Sequence, residues 1–124
     1  MSRCIFEALA ERRFRKRAKE YLTEHYGDIF SWQAVLEIGE QSAAHMFSAA
    51  AGDMTVVCQA YYIKRKKGSY PEEMLKELRE TAFCLAFMPA KAKKLIVIPK
   101  QEEDACSALR KAAEIPESVE LKCV

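Results

Sequence analysis

The sequence predicts a single α/β domain built on a central mixed sheet. Three observations lead there. The chain has 124 residues, half of them hydrophobic and 31% charged. That is enough to bury roughly two-thirds of the unfolded surface, too apolar for a disordered chain and too short for two ordinary domains. Strand-period and helix-period segments alternate through the second half, as strand–helix–strand units require. Finally, no apolar run approaches the ~18 residues that a membrane-spanning helix needs.

Residues 5–26 have the period of a helix. Phe6, Leu9, Ala10, Phe14, Ala18, Tyr21, Leu22 and His25 share one broad stripe, with Arg12, Arg15, Lys16 and Lys19 on the other side. Gly27 is placed for a left-handed cap. Residues 29–52 fit two patterns. Phe30, Trp32, Ala34, Leu36 and Ile38 alternate as in a strand. Trp32, Val35, Leu36, Ala43, Met46, Phe47 and Ala50 also fit a helical stripe, and the alanines at 43, 44 and 49–51 favour helix, whereas Gly39 opposes a continuous one. The preferred reading is a strand at about 30–38, a second near 44–51, and a turn at Gly52-Asp53.

Thr55 to Ile63 is rich in β-branched and aromatic residues between turn signals, and predicts a strand. Ser69, Pro71 and Glu72 carry the pattern of a capping box with proline in the first turn, opening a helix on Met74, Leu75, Leu78, Ala82, Leu85 and Ala86. Leu95-Ile96-Val97-Ile98 is a short apolar run, as in a strand covered on both faces. Gln101 to Glu114 predicts a third helix on Ala105, Ala108, Leu109 and Ala112, and Val119, Leu121 and Cys123 alternate in a last strand. The order is α-β-β-β-α-β-α-β, and the helical connections make the last three strands parallel.

Cys4, Cys58, Cys84, Cys106 and Cys123 form no C-x-x-C pair, and His25 and His45 lie far apart. Reduced, buried thiols are expected rather than zinc or a disulfide framework. The three acids before Cys106 disfavour a thiolate nucleophile there. The opening residues, Met1 to Glu7, run into charge without the apolar stretch of a secretory signal, so a cytoplasmic protein is expected.

The net charge of +2 identifies no partner, but its distribution is uneven. Lys64-Arg65-Lys66-Lys67 leaves the Thr55–Ile63 segment as four successive cations. Arg12, Arg13, Arg15, Lys16, Arg17 and Lys19 crowd the first helix, and Lys91, Lys93 and Lys94 precede a later strand, while residues 100–124 are acidic. Four cations in a turn are commonly a solvated loop. As a binding feature they would contact phosphates and make affinity salt-dependent. Trp32, Tyr61, Tyr62 and Tyr70 are candidate stacking faces, though at least two are expected in the core. The four glycines are isolated, so no phosphate-cradling loop is present, and no Gly-x-Ser-x-Gly or His-Glu-x-x-His motif occurs.

The stretch from Asp53 through Gln59, Tyr61 and Lys64, the helix from Pro71, and Lys94-Leu-Ile-Val-Ile-Pro99 resemble the restriction-endonuclease-like nuclease fold. The similarity is greatest to its branch of methyl-directed restriction enzymes and archaeal Holliday-junction resolvases, and the element order matches over nearly the whole chain. The resemblance implies an acid on the first helix, an aspartate on the second strand, and Glu-x-Lys or Gln-x-Lys on the third, with carboxylates holding Mg2+. Gln59 takes the first place of Gln-x-Lys, but Tyr61 stands at the lysine's place, and Lys64, three residues beyond it, is expected on the opposite face from Tyr61. Asp53 is the candidate aspartate and metal ligand, with Glu40 as the alternative. Glu7, Glu11 and Glu20 are candidates for the helix acid, Glu11 facing the basic side.

The resulting expectation is a nuclease-fold domain that binds nucleic acid, DNA rather than RNA, with catalysis lost or altered. Its candidate contacts are Lys64, Arg65, Lys66, Lys67, Arg12, Arg15 and Lys16. Two alternatives stand beside it: an interaction or structural subunit, with a homodimer or another protein as partner, and an active Mg2+-dependent endonuclease using Asp53, Glu40, Gln59 and a non-standard lysine, with Glu11 as the candidate helix acid.

Overall fold

The computed structural model describes residues 2–38 and 44–124. Helix α1 (Ser2–Tyr26) is followed by β1 (Phe30–Glu37), β2 (Ala44–Ala51), β3 (Val56–Ala60), α2 (Glu72–Ala86), β4 (Lys93–Ile98), a 3₁₀ segment (Lys100–Ala105), α3 (Cys106–Ala112) and β5 (Val119–Cys123). The five strands form one mixed sheet in the order β1-β2-β3-β4-β5. β1, β2 and β3 pair antiparallel, whereas β3, β4 and β5 run parallel, joined by crossovers through α2 and α3.

Side-chain alternation along β4 explains the layering. Leu95 and Val97 face α1, packing with Phe14, Ala18 and Leu22. Ile96 and Ile98 face the other way, against Leu78, Ala82 and Leu85 of α2 and Leu109 of α3. The sheet is thus covered on both faces, which is why β4 reads as an unbroken apolar run.

The ambiguous segment forms a hairpin, with Phe30 opposite Ala51 and Glu37 opposite Ala44. Its alanines serve packing rather than helix propensity. Ala49, Ala51 and Ala60 are small, buried side chains beneath α1, leaving room for the Phe14 ring. At the centre of the hairpin, Gln33 takes a left-handed φ of 54° and its pairing with Ser48 is missing from the ladder. The hairpin changes faces there. Phe30 and Trp32 join the α1 side, while Ala34 and Leu36 join the α2 side. Ser48 Oγ takes over as acceptor for β3, receiving the Ala60 N–H at 2.9 Å.

Three boundaries differ from the sequence expectation. The apolar stripe of α1 begins to bury only at Phe14, and Ile5, Phe6 and Leu9 are exposed because the helix extends past the sheet it lies on. Ser69 does not cap α2. Its backbone exchanges two hydrogen bonds with Lys66 (2.8 and 2.9 Å) in a tight turn where Lys67 and Gly68 both have positive φ, so α2 starts after Pro71 with no side-chain cap. The third helix is split, its first six residues winding as a 3₁₀ segment behind Pro99. Gly27, at φ 86°, donates to Thr23 O at 2.9 Å and closes α1 as expected.

Candidate nucleic-acid interface

β3 is the strand where the antiparallel and parallel halves of the sheet meet. Ligands of open α/β sheets gather at strand carboxyl ends beside such a change in connection. A cleft of about 530 Å³ opens there, between α1 and the start of α2. Glu11 and Arg15 reach it from α1, Gln59 from β3, Lys64 and Lys66 from the strand extension, and Glu77 from α2.

Within the cleft Glu11 is shared between two cations. Its Oε1 lies 3.6 Å from Lys64 Nζ and its Oε2 3.7 Å from Arg15 Nε. Lys64 Nζ also sits 6.0 Å from the centre of the Tyr62 ring, which packs at 5.8 Å against Phe14. Gln59 donates from Nε2 to Ala60 O at 3.3 Å, while its Oε1 is buried without a hydrogen-bond partner. Tyr61 donates to Glu77 Oε2 at 2.8 Å. Burial and that bond push its phenol well above the ordinary range.

The sequence candidates therefore separate. Glu11, Gln59, Lys64, Arg15 and Lys66 line one cleft, with Glu7 beside them. Lys64 lies on the α1 side of the sheet and Tyr61 on the α2 side, as strand alternation implies. Arg12, Lys16 and Lys67 are exposed outside it. Asp53 is exposed in the turn at the opposite end of β3. There its Oδ1 accepts from Thr55 Oγ1 (2.7 Å) and Thr55 N (3.1 Å), and these bonds hold the carboxyl below its usual range. Asp53 lies in the turn before β3 and Gln59 near the strand's other end, with Val56, Val57 and Cys58 extended between them, so the two do not converge on one ion. Glu40 lies outside the described residues. β2, from Ala44 to Ala51, carries no carboxylate.

Arg65 lines the cleft wall but is engaged inward. Its Nη2 is 2.7 Å from Oε1 of the buried Glu102 and 2.9 Å from Tyr70 OH, and its guanidinium lies 4.6 Å from the Tyr70 ring centre. Tyr70 OH donates to the same Glu102 oxygen at 2.8 Å. Lys94 is likewise withdrawn, buried with Nζ donating at 3.2 Å to Ala86 O at the end of α2. Lys93 faces Glu120 at 3.9 Å. The aromatic candidates are also occupied. Trp32 lies under Lys19, Tyr62 against Phe14, and Tyr61 and Tyr70 are tied to Glu77 and Glu102. Glu77 and Glu102 had no signal in the sequence, since each meets its partner only through the fold.

Mg2+ takes oxygen ligands, commonly one or two carboxylates with several waters. Among the described residues no group of three histidine, cysteine, aspartate or glutamate side chains is arranged to hold a metal ion. The helix acid Glu11 has a cation at each oxygen, so the donor set implied by the resemblance does not fit as arranged. Among the described residues no helix is long and apolar enough to cross a membrane. No protein-family model, curated protein or solved structure matches this chain.

Proposed function

We propose that this chain is a nucleic-acid-binding domain of the restriction-endonuclease-like fold, directed to duplex DNA in the cytoplasm, in which the usual cleavage chemistry is lost. One observation carries the reading. Glu11 of the first helix, Gln59 of the third strand and Lys64 line one cleft at the carboxyl end of β3, ringed by Arg15 and Lys66. The α-β-β-β-α-β-α-β order and the mixed sheet are in keeping with the resemblance. Lysines and arginines at such a rim neutralise phosphates and release counterions. Exposed Arg12, Lys16 and Lys67 extend the basic surface along α1 and the turn.

Three features account for the loss of cleavage. β2 offers no aspartate, Tyr61 stands where the family's lysine belongs, and Glu11 is already balanced by Lys64 and Arg15. Glu11→Gln distinguishes the roles of this acid. As a charge balancer, its removal frees two cations and tightens DNA binding several-fold. As a metal ligand in an active enzyme, its removal abolishes Mg2+-dependent nicking of plasmid DNA by the parent chain. Nicking by the parent that disappears in the variant would replace the binding reading with the endonuclease one.

A second reading, an interaction subunit, draws on a different surface. Val35 and Met46 are directly paired across the hairpin and exposed, and the exposed Phe83 of α2 meets Phe87, just past the helix end, edge-to-face at 4.8 Å. Size-exclusion chromatography with light scattering separates a self-associating chain from a monomer.

A further inference from the structure

Two cysteines meet where α3 begins and β5 ends. Cys106 Sγ and Cys123 Sγ are 3.2 Å apart, a thiol–thiol contact. A disulfide needs about 2.05 Å, so the sulfurs must close by only about 1.2 Å, within the range of small side-chain rotations. Both backbones are anchored independently of the sulfurs. Cys123 is in register with Ile98 of β4, and the chain beyond it is fixed by Val124 N donating to Ile98 O (3.0 Å) and Lys100 N to Val124 O (2.9 Å). Cys106 opens α3, with its Sγ 3.5 Å from Glu102 O. Both thiols are half-buried and reachable by a small molecule, whereas Cys58 is enclosed under α1 on the opposite face of the sheet.

We propose that Cys106 and Cys123 are a thiol-oxidation site that closes into a reversible intramolecular disulfide. The oxidant is a low-molecular-weight disulfide. One of the two thiols, on losing its proton, attacks one sulfur of that molecule, forming a mixed disulfide and releasing one small thiol. The other then loses its proton and attacks the protein sulfur of the mixed disulfide, expelling the second small thiol. The two protein thiols lose two electrons and two protons, and the small disulfide is reduced to two thiols. Burial, and then the contact with Cys106 and the nearby Glu103 and Glu102, push the Cys123 thiol up to about 12. The bond staples α3 and its link to β5 directly behind Glu102, the carboxylate that holds Arg65 and Tyr70.

The test is incubation of the full chain with oxidised glutathione, alkylation of remaining thiols, and tryptic mapping without reduction. The expected product loses two hydrogens and joins the peptide Gln101–Arg110 to the dipeptide Cys123–Val124. Its melting temperature rises by roughly 10 °C, as closing a loop of this length implies, and dithiothreitol reverses both changes. Cys123→Ser abolishes the cross-link and the shift, whereas Cys84→Ser keeps both. Recovery of Cys106 and Cys123 as separate alkylated or glutathionylated peptides, or a cross-link between two chains, overturns the proposal.

Discussion

Arg65 Nη2 stands 2.7 Å from Glu102 Oε1, so one of four consecutive cations is a surface strut held to a buried acid. Glu102 is buried, and Arg65 and Tyr70 supply the hydrogen bonds that make its burial tolerable. Lys64 and Lys66, its immediate neighbours, hold no buried acid.

Substitutions in this cluster therefore diverge. Arg65→Ala lowers the urea midpoint distinctly, while Lys66→Ala leaves it unchanged. Tyr70→Phe removes one of the two bonds to Glu102 and costs about 1 kcal/mol. Equilibrium urea unfolding followed by circular dichroism measures all three, and an unchanged midpoint for Arg65→Ala contradicts the strut.

Ser48 is the second structural link. Its hydroxyl is the acceptor for the Ala60 N–H where the ladder between β2 and β3 is interrupted. Ser48→Ala leaves that donor unpaired in a half-buried place and costs about 1–3 kcal/mol. Amide exchange at Ala60 rises with it.

On α1 two phenylalanines are expected to behave oppositely. Phe14 is fully buried against the sheet, and Phe6 is 68% exposed. Phe14→Ala costs about 3–5 kcal/mol, whereas Phe6→Ala changes stability by no more than about 0.5 kcal/mol. Thermal unfolding of the two variants side by side decides whether α1 is seated as described.

Alkaline pH reports on the other face of the sheet. Burial raises the Cys58 thiol from about 9 to about 12. A group raised in the fold stabilises it fully below its unfolded value, and that contribution is lost as pH climbs from near 9 toward 12. The difference in unfolding free energy between the parent chain and Cys58→Ala should accordingly shrink across that window. A difference that grows with pH contradicts an enclosed, protonated thiol.

The fold was largely legible because most elements bury a regular stripe. Leu78, Ala82 and Leu85 keep helical spacing, and Leu95 to Ile98 are apolar without interruption. The hairpin was harder to read, since alanine carries helix propensity and only the approach of α1 over Ala49 and Ala51 makes smallness the deciding property. Phe6 and Leu9 continue the stripe of Phe14, but periodicity does not tell where the sheet beneath a helix ends. The cleft was partly legible. Glu11, Gln59 and Lys64 were identified from the resemblance and the charge run, whereas the pairing of Arg65 with Glu102 was not legible because the two lie 37 positions apart. Asp53 reads as a candidate ligand until the direction of β3 puts it at the far end of the strand.

The most direct test of the account is the affinity of the chain for a short labelled DNA duplex, measured by fluorescence anisotropy across a salt series, for the parent and for the Lys64→Ala/Lys66→Ala variant. The account predicts binding that weakens steeply with salt, and a logarithmic slope reduced by roughly 2 in the variant with its folding intact. Retention that is weak and indifferent to salt, or a variant that binds like the parent, contradicts it.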